Sequence, residues 1–576
     1  MKILGIHLDT HDSGAAIVED GRVLAAANEE RFSRTKMDGA PPRQSMAAVF
    51  AVAGVAPREL DVVAFSGLRP GPRKYWYNFI QQAQRVTFTR GRYLHSFYTL
   101  KSRDRGRLLR QTGLAAILET WRVGKATQQL IDELRQQGFA GEVTFVDHDE
   151  AHAATAYFTS GFTDCFVAII EGSSFTNTCS FWRGANGRLQ KVGTVPLPHS
   201  PGRYYEVVTR ILGFHPKKHG GKITGLAAFG DPTKLAPVVN RLLWAEGTTM
   251  KVSPELFVLH EEYFARGKKL PVVFSGHTRE DIAAAFQRRL EDVCVSVLSA
   301  WQKQMPFERL ALSGGVVANV KLNLEFLRQL PLKEVFVHPG MGDVGQALGA
   351  ALGALAQKHP LTPQAIPHVY LGPAFDERRC TAALTAARLS FRREGDVAAW
   401  TAARLAENKV VGFFQGAMEY GPRALGNRSI LYPATDPEVN DWLNKRLKRS
   451  EFMPFAPVTL MEKAADCYEL TDRCRAAATF MTIALPATKF MRDKMPAAVH
   501  VDGTCRPQLV SREINAVYYD VLKHYEQLTG LPSLVNTSFN MHEEPIVCTP
   551  EEAISAYLQS ELDVLVLGNL VVEKTA

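Results

Sequence analysis

Two stretches of the chain follow the same plan of strand, turn, strand, turn and strand. Residues 3–26 run from an apolar segment through a polar turn to AAIV, the turn EDG and RVLAA. Residues 165–193 repeat this order, with an acid-glycine turn after CFVAII and a tight GANG turn before the last strand. Short apolar segments separated by such turns predict antiparallel strands. Two meanders, each followed by helices, predict a duplicated α/β domain with a cleft between its halves.

Two further glycine-rich turns indicate a ligand in that cleft, and the duplicated plan resembles the actin and sugar-kinase ATPase superfamily. LSGGVVAN follows a strand, and its Gly314 and Gly315 would allow close backbone approach, while the helix after it favours phosphate. HPGMGDVGQ places Asp343 on a loop after the strand EVFV. Asp343 taken alone is more typical of a helix cap, but a loop carboxylate is also a candidate metal ligand.

His148 and His152 lie four residues apart, where the strand VTFV runs into the helix-forming segment AHAATAY. On a helix this spacing places two imidazoles on one face, where both can bind one metal ion. Random placement would give about 0.4 such pairs in this chain, so the spacing alone is weak. A metal site and a capped, surface-facing helix start are equally compatible with these residues.

The composition is that of a globular enzyme with more than one domain. The 576 residues exceed one ordinary core, and 46% hydrophobic and 22% charged residues are average values. Without an apolar segment of spanning length or a secretion signal, we expect a cytoplasmic protein with no membrane partner. Eight scattered cysteines without a CxxC motif favour reduced thiols.

The net charge of +8 is concentrated in one segment. Residues 69–125 contain 13 Lys or Arg and two acids, and aromatic residues are interleaved with them. Nucleic-acid or phosphate binding would suit this pattern. An amphipathic helical insertion with a solvated basic face is the favoured interpretation, so a nucleic-acid partner is not expected. A homodimer remains open.

A proline-rich stretch divides the chain. QKHPLTPQAIPHVYLGP, residues 357–373, carries four prolines and predicts a linker. We therefore expect one domain over residues 1–356, with a basic insertion at 69–125, and a second α/β domain over residues 373–576. The second domain begins with the strand KVVGFF and ends with the strands of DVLVLGNLVVEK.

The second domain collects basic and amide side chains in four short strings. GPRALGNRS, NKRLKRSEFMPFAP, HVDGTCRPQ and NTSFN supply arginines, lysines, a serine and asparagines. Arginine binds phosphate oxygens bidentately, whereas amides and hydroxyls bind a small amide or carbonyl. Each string alone is more typical of a solvated charge run or a turn. Together they would fit a phosphate joined to a small polar acyl group.

These strings carry a family resemblance over nearly the whole chain. HDSGAAIVEDG, EERFSR, HDEAH, GKITGLAAFGD, LSGGVVAN, GDVGQALGAAL, GPRALGNRS, EFMPFAP, HVDGTCRPQ and NTSFN occur in the order found in the O-carbamoyltransferases of nodulation and antibiotic tailoring. In that family the N-terminal domain is similar to the ATPase-like domain of the tRNA threonylcarbamoyl-transferring enzyme. The C-terminal domain resembles threonylcarbamoyl-adenylate synthase.

The resemblance implies a two-stage reaction. Carbamoyl phosphate and ATP would give carbamoyl adenylate in the C-terminal domain, and the carbamoyl group would then pass to a hydroxyl of a small-molecule acceptor, such as a sugar or an antibiotic of secondary metabolism. It implies ATP, accompanied by Mg(II), and Fe(II) or Zn(II) at the N-terminal site. The implied residues are Arg423, Arg428, Lys448, Arg506, Ser538 and Asn540 for carbamoyl phosphate; Gly314, Gly315, Asn319, Gly342 and Lys222 for nucleotide; His148, His152 and Asp343 for metal; and His11 and Lys222 for catalysis.

Three departures from the family pattern predict altered contacts. EGSSF, residues 171–175, replaces the common Asp-Gly-x-Gly-Glu turn, so Glu171 is one methylene longer and Phe175 replaces an acid. Gly220 stands where an acid often precedes Gly-Lys, and Met453 where an arginine often precedes PFAP.

Two other functions stay open from the sequence. A small-molecule kinase of the same superfamily would share the cleft but would have no use for the C-terminal arginine and NTSFN strings, and it would form ADP. A tRNA-modifying or RNA-binding protein would use the basic segment 69–125, and its binding would depend on salt.

Overall fold

The computed structural model describes residues 1–9, 11–76, 78–79, 102–446 and 455–574. In its first part, strands and helices alternate as the sequence predicts. The strands are β1 (Lys2–His7), β2 (Gly14–Glu19), β3 (Arg22–Asn28), β4 (Val62–Ser66), β5 (Glu142–Val146), β6 (Asp164–Ile170), β7 (Asn177–Ala185), β8 (Arg188–Pro196), β9 (Leu243–Glu246), β10 (Thr249–Val252), β11 (Arg309–Ser313) and β12 (Glu334–Val337). The helices are α1 (Glu30–Ser33), α2 (Arg43–Ala53), α3 (Ser102–Gln136), α4 (His148–Phe158), α5 (Pro201–Ile211), α6 (Gly220–Leu226), α7 (Ala236–Leu242), α8 (Glu255–Ala265), α9 (Arg279–Gln304), α10 (Val320–Gln329) and α11 (Gln346–Lys358).

Ten of these strands form two five-stranded sheets with the same topology. The first has the order β3-β2-β1-β4-β5, and the second has the order β8-β7-β6-β11-β12. In each sheet the first three strands form an antiparallel meander, and the last two run parallel to the first strand of that meander. This duplication confirms the predicted fold of the actin and sugar-kinase type. The strand ends of the two sheets face each other across one cleft.

Helices α4 and α11 pack tightly against each other between the two sheets. Each follows the fifth strand of its sheet, so the two occupy equivalent positions in the two halves. Gly349 of α11 lies against the backbone of Ala151 in α4, and a Cβ at that position would collide with the Ala151 carbonyl oxygen. The close crossing brings the N-terminal ends of the two helices together.

The second part of the chain is built on an eight-stranded mixed sheet of order β13-β22-β21-β14-β15-β20-β16-β19. Two helices, α13 (Val397–Ala406) and α18 (Ala516–Thr529), pack side by side on one face of this sheet and contribute side chains to its core. The strands are β13 (Arg392–Arg393), β14 (Val411–Phe414), β15 (Arg428–Pro433), β16 (Ala456–Leu460), β17 (Leu485–Pro486), β18 (Thr504–Cys505), β19 (Gln508–Val510), β20 (Ser533–Ser538), β21 (Val564–Leu567) and β22 (Leu570–Glu573). The helices are α12 (Glu377–Ala386), α13 (Val397–Ala406), α14 (Val439–Arg446), α15 (Ala464–Cys467), α16 (Arg475–Thr479), α17 (Lys489–Lys494), α18 (Ala516–Thr529) and α19 (Pro550–Gln559).

The proline-rich stretch after α11 is extended and lies on the first part of the chain. The Leu361 amide donates to the Gly187 carbonyl at 2.9 Å, and the Ile366 amide donates to the Thr159 carbonyl at 2.9 Å. Leu361 and Ile366 are also buried. The stretch is therefore fixed by hydrogen bonds and packing.

Three arginines, of which Arg31 is buried, join the two parts of the chain. Arg31 donates to the Gly421 carbonyl at 2.6 Å, and Arg34 donates to the Pro545 carbonyl at 2.7 Å. From the other side, Arg473 donates to the carbonyls of Leu327 and Leu332 at 2.8 Å each. Because guanidinium groups on buried carbonyls are costly to separate, these contacts hold the two parts in one arrangement.

The predicted basic insertion, residues 69–125, is helical over residues 72–76, 78–79 and 102–125. Helix α3 covers residues 102–136, and its side chains Ala116, Val123, Leu130 and Leu134 are buried. Residues 80–101 of the insertion lie outside the described residues. Among the helices of the described ranges, none combines the length and apolar character needed to cross a bilayer. All eight cysteines are buried and unpaired with one another.

Candidate active site

The metal candidates lie where three strands end. Strand β5 is followed by α4, which carries His148 and His152; β6 is followed by Glu171; and β12 is followed by the turn that carries Asp343. The carboxyl ends of neighbouring parallel strands lie at one edge of a sheet, and the two sheets face each other across the cleft. One donor atom from each of the four side chains lies within 4.8 Å of the others.

These four side chains contact one another directly. His148 Nε2 lies 3.1 Å from Glu171 Oε2 and 3.5 Å from Asp343 Oδ1. His152 Nε2 contacts Glu171 Oε1 and lies 3.3 Å from Asp343 Oδ1. The prediction that His148 and His152 share a helical face is therefore confirmed, and both imidazoles point at the same two carboxylates.

The cluster is strongly coupled electrostatically. Burial favours a neutral imidazole, but the charges of Glu171 and Asp343 outweigh burial and raise the pKa of His148 to about 10. Burial likewise favours a protonated carboxyl, yet the imidazoles of His152 and His148 lower the pKa of Glu171 to about 2. The pKa of Asp343 is held well below its usual range against the same burial, first by His148. Two carboxylates therefore remain charged in a buried place.

A hydroxyl group orients the more buried imidazole. His152 Nδ1 lies 3.0 Å from Ser313 Oγ, and that hydroxyl donates its proton to the Met341 carbonyl at 3.0 Å. Because a hydroxyl has one proton to donate, it accepts from His152, which places the proton on Nδ1. With Nδ1 protonated, Nε2 is the nitrogen of His152 that would bind a metal ion once it has lost its own proton.

The donor set fits a divalent metal ion. Two imidazole nitrogens and two carboxylates that converge on one point suit Zn(II) or Fe(II), and they leave coordination positions open. A divalent cation bound there would replace the imidazole protons and compensate the charge of the two carboxylates. Glu171 was not among the predicted ligands, because in sequence it stood out only as a departure from the family turn.

A cavity of about 600 Å³ opens beside the cluster and is shared by both parts of the chain. Such a volume suits a nucleotide-sized ligand. Seven basic side chains outnumber the five carboxylates of its lining: Lys36, Arg203, Lys217, Lys218, Lys222, Arg423 and Arg506. This charge favours a ligand that carries phosphate groups.

The two predicted catalytic residues line this cavity. His11 Nδ1 lies 2.9 Å from Asp12 Oδ2 and 3.6 Å from Asp343 Oδ2, so His11 borders the metal cluster. Lys222 is buried in α6 and lines the cavity directly. Both residues are therefore within reach of a ligand that extends from the cluster.

The predicted nucleotide loop divides into cavity and scaffold residues. Gly315, Asn319 and Gly342 line the cavity. Gly314 is buried and lies outside this lining. Its φ is 104°, and a Cβ there would collide with the carbonyl oxygen of Ile170, so this glycine permits close approach of two strand ends.

The second part of the chain contributes four of the six predicted carbamoyl phosphate residues to the same cavity. Arg423, Arg506, Ser538 and Asn540 all line it. Lys448 lies outside the described residues. The cavity therefore joins a metal-type cluster at one end to an arginine, hydroxyl and amide array at the other.

Arg428 has a structural position, which corrects its predicted role as a phosphate ligand. Its guanidinium donates to the carbonyls of Gln415 at 2.6 Å and Asn427 at 2.8 Å and lies 3.6 Å from the centre of the Phe414 ring. Burial lowers its pKa to about 10. Arg428 thus fixes the loop that carries Arg423.

A buried amide network holds Asn319. Asn319 Nδ2 donates to Gln287 Oε1 at 2.8 Å, and Gln287 Nε2 donates to Glu291 Oε1 at 2.7 Å. Burial raises the pKa of Glu291 to about 7. The carboxyl is therefore protonated in the folded protein at a pH at which it ionises in the unfolded chain, and its stabilising effect is lost as pH rises toward 7.

We expect Glu291→Gln to raise the free energy of unfolding at pH 8 by about 2 kcal/mol, because the substitution removes a buried charge and keeps the acceptor for Gln287. At pH 5 the carboxyl is already protonated, so the two proteins are expected to have the same stability there. Denaturant unfolding at the two pH values measures the difference. Equal stabilisation at both would contradict the account.

The comparisons with known proteins identify the family. The family model described as Carbamoyltransferase N-terminus matches residues 2–352, and the model described as Carbamoyltransferase C-terminus matches residues 402–574. An uncharacterized protein of Synechocystis sp., sll1178, is 33% identical over 100% of this chain and 97% of its own length.

Two rhizobial relatives are similarly close in sequence. Nodulation protein NolNO of Sinorhizobium fredii is 31% identical over 98% of this chain and 79% of its own length. Nodulation protein NolO of Bradyrhizobium diazoefficiens is 34% identical over 74% of this chain and 79% of its own length. The chain therefore belongs to the carbamoyltransferase family and is an enzyme that transfers carbamoyl groups.

Proposed function

We propose that the protein uses carbamoyl phosphate and ATP to carbamoylate a hydroxyl group of a small molecule. Carbamoyl phosphate is cleaved with water to carbamate and inorganic phosphate, and a carbamate oxygen attacks the α-phosphate of ATP. The products are carbamoyl adenylate and pyrophosphate. The acceptor hydroxyl then attacks the carbamoyl carbon, its proton is lost, and AMP leaves. Carbamate is a poor acyl donor until it carries such a leaving group.

One observation supports this proposal most strongly: a single cavity is lined by both Arg506 and Asp343. An adenylate made beside the arginines can occupy the N-terminal end without passing through solvent. We also infer two domains, residues 1–356 and 373–576, with the cavity between them. A kinase would need only the N-terminal end of this cavity.

The arginine end would bind carbamoyl phosphate and release phosphate. Arg423 and Arg506 can bind phosphate oxygens bidentately, and Ser538 and Asn540 lie where a hydroxyl and an amide can orient the carbamoyl group. Lys222 and the backbone at Gly315 and Gly342 would hold the nucleotide phosphates, with Mg(II) accompanying ATP.

The cluster end would organise the transfer step. His148, His152, Glu171 and Asp343 would hold the metal ion, which supplies Lewis acidity toward a carbonyl or phosphate oxygen. His11 borders both the cluster and the cavity and is placed to position the acceptor hydroxyl or the carbamoyl group.

We expect the purified protein to bind one divalent ion per chain and Glu171→Gln to lower that affinity at least about 100-fold, because a charged donor is lost from the cluster. Elemental analysis and calorimetry with Zn(II) measure this. Glu206→Gln is the matched control, since Glu206 lines the same cavity but pairs with Arg203 at 2.6 Å. Unchanged metal content in Glu171→Gln would remove Glu171 from the site.

Incubation with carbon-labelled carbamoyl phosphate, ATP and a panel of alcohols tests the proposed function. We expect label in an alcohol only when ATP is present, with one AMP formed per carbamoyl group transferred. Label transfer that is independent of ATP would contradict the adenylate route, and phosphorylated alcohols with ADP would establish the kinase alternative.

A further inference from the structure

A row of large apolar side chains lies on the outward face of helix α3. Leu114, Ile117, Leu118 and Trp121 are 60%, 52%, 55% and 63% exposed, respectively. Their spacing of three and four residues places them on one side of the helix. Single exposed apolar residues are ordinary on soluble proteins, whereas a contiguous row indicates an interaction surface. We call these four residues the α3 stripe.

The α3 stripe is not the face through which the helix joins the protein core. Ala116, Val123, Leu130 and Leu134 are almost fully buried. With 3.6 residues per turn, these side chains lie on the opposite side of the helix from the stripe. Helix α3 therefore has two apolar faces, and only one of them is buried by the described part of the chain.

The net charge of the sequence that carries the α3 stripe selects the kind of partner. Residues 102–125 contain six basic residues and two acidic ones, within the longer segment that carries 13 Lys or Arg. A second copy docked symmetrically would place two basic helices against each other, which is unfavourable. A nucleic acid would neutralise the charge, but it offers stacked bases rather than an apolar surface for leucine and isoleucine.

An anionic bilayer satisfies both features. Its phosphate groups attract basic side chains, and its headgroup boundary accepts an apolar helix face. Lys125 Nζ lies 5.1 Å from the centre of the Trp121 ring, so a tryptophan and a lysine lie together at one end of the stripe, a combination suited to a membrane interface.

We propose that the α3 stripe binds the surface of anionic membranes, with the apolar row at the headgroup boundary and Lys125 at the lipid phosphates. The sequence prediction of no membrane partner rested on the lack of a spanning segment, which this surface contact does not require. The proposal is independent of the catalytic account.

Vesicle flotation tests the proposal with the full-length protein. We expect the protein to float with vesicles that contain about 30% phosphatidylserine and not with vesicles of phosphatidylcholine alone, because the anionic lipid gives the first kind a strong negative surface potential. Binding should fall as salt rises. The double variant Leu118→Glu/Trp121→Glu should bind at least about tenfold less, since two charges replace the apolar contact. The matched control is Leu528→Glu/Leu558→Glu, whose side chains are 60% and 55% exposed on other helices; it should bind like the wild type.

Four results would overturn the proposal. The first is no flotation with anionic vesicles, and the second is an equal loss of binding in the control variant. The third is a lower melting temperature of Leu118→Glu/Trp121→Glu alone, which would show that the stripe is covered by the chain itself. The fourth is a dimer, or a salt-dependent RNA complex, that this variant abolishes while vesicle binding persists.

Discussion

His152→Ala is expected to lower carbamoyl transfer to the acceptor about 10³-fold while carbamoyl phosphate-dependent pyrophosphate formation stays within about threefold of the wild type. His152 is fully buried, contacts Glu171 and lies 3.3 Å from Asp343. Its loss removes one nitrogen donor and leaves His148 as the one imidazole of this cluster beside two carboxylates, so metal binding should fail. The arginine end of the cavity is built from other residues and should still form the adenylate.

Separate assays of the two half-reactions measure this effect. His148→Ala should show the same separation, because its imidazole contacts the same carboxylates. Ser313→Ala should show a smaller loss of about 10- to 100-fold, because it removes only the hydroxyl that orients His152. If His152→Ala lost both half-reactions equally while remaining folded, the division of labour between the two ends would be wrong.

Arg506→Ala is expected to lower carbamoyl phosphate-dependent pyrophosphate formation about 10²- to 10³-fold, and transfer with it. Removing a charge-assisted contact to a transferring phosphate costs about 3–4 kcal/mol. Arg506→Lys should recover only part of the rate, because an ammonium group cannot reproduce the bidentate fork.

Arg512→Ala is the control for this variant. Arg512 lies six residues further along the chain, on the surface, and pairs with Asp520 at 3.0 Å. Arg512→Ala should keep wild-type rates of pyrophosphate formation and transfer. Arg506→Ala should keep the metal content of the wild type. Normal pyrophosphate formation by Arg506→Ala would exclude this arginine from the carbamoyl phosphate site.

Local sequence patterns predicted most of the fold. Each half of the duplication begins with a three-stranded meander. Such a meander can be predicted from short apolar segments that alternate with turn residues, and both meanders occur as predicted. The helix after VTFV also follows from local preferences, so the alignment of His148 and His152 could be predicted. The convergence of Asp343 could not be worked out from spacing, because it depends on two sheets that meet across a cleft.

The site residues that sequence reasoning missed or misplaced differ in their surroundings, not in their chemistry. Glu171 appeared as a lengthened acid in an unusual turn, and only its position at the end of β6 shows that it faces the imidazoles. Arg423 and Arg428 stand in the same motif, yet one lines the cavity and the other binds carbonyls in the core. Pattern alone does not tell which arginine of a loop faces a ligand.

Formation of an adenylate from carbamoyl phosphate and ATP distinguishes the proposed reaction from that of a kinase. Phosphorus spectroscopy of the protein with both substrates and no acceptor, and with each substrate alone, detects this step. We expect inorganic phosphate and pyrophosphate in equal amounts, with pyrophosphate appearing only when both substrates are present. Formation of ADP, or no pyrophosphate with both substrates present, would rule out the adenylate.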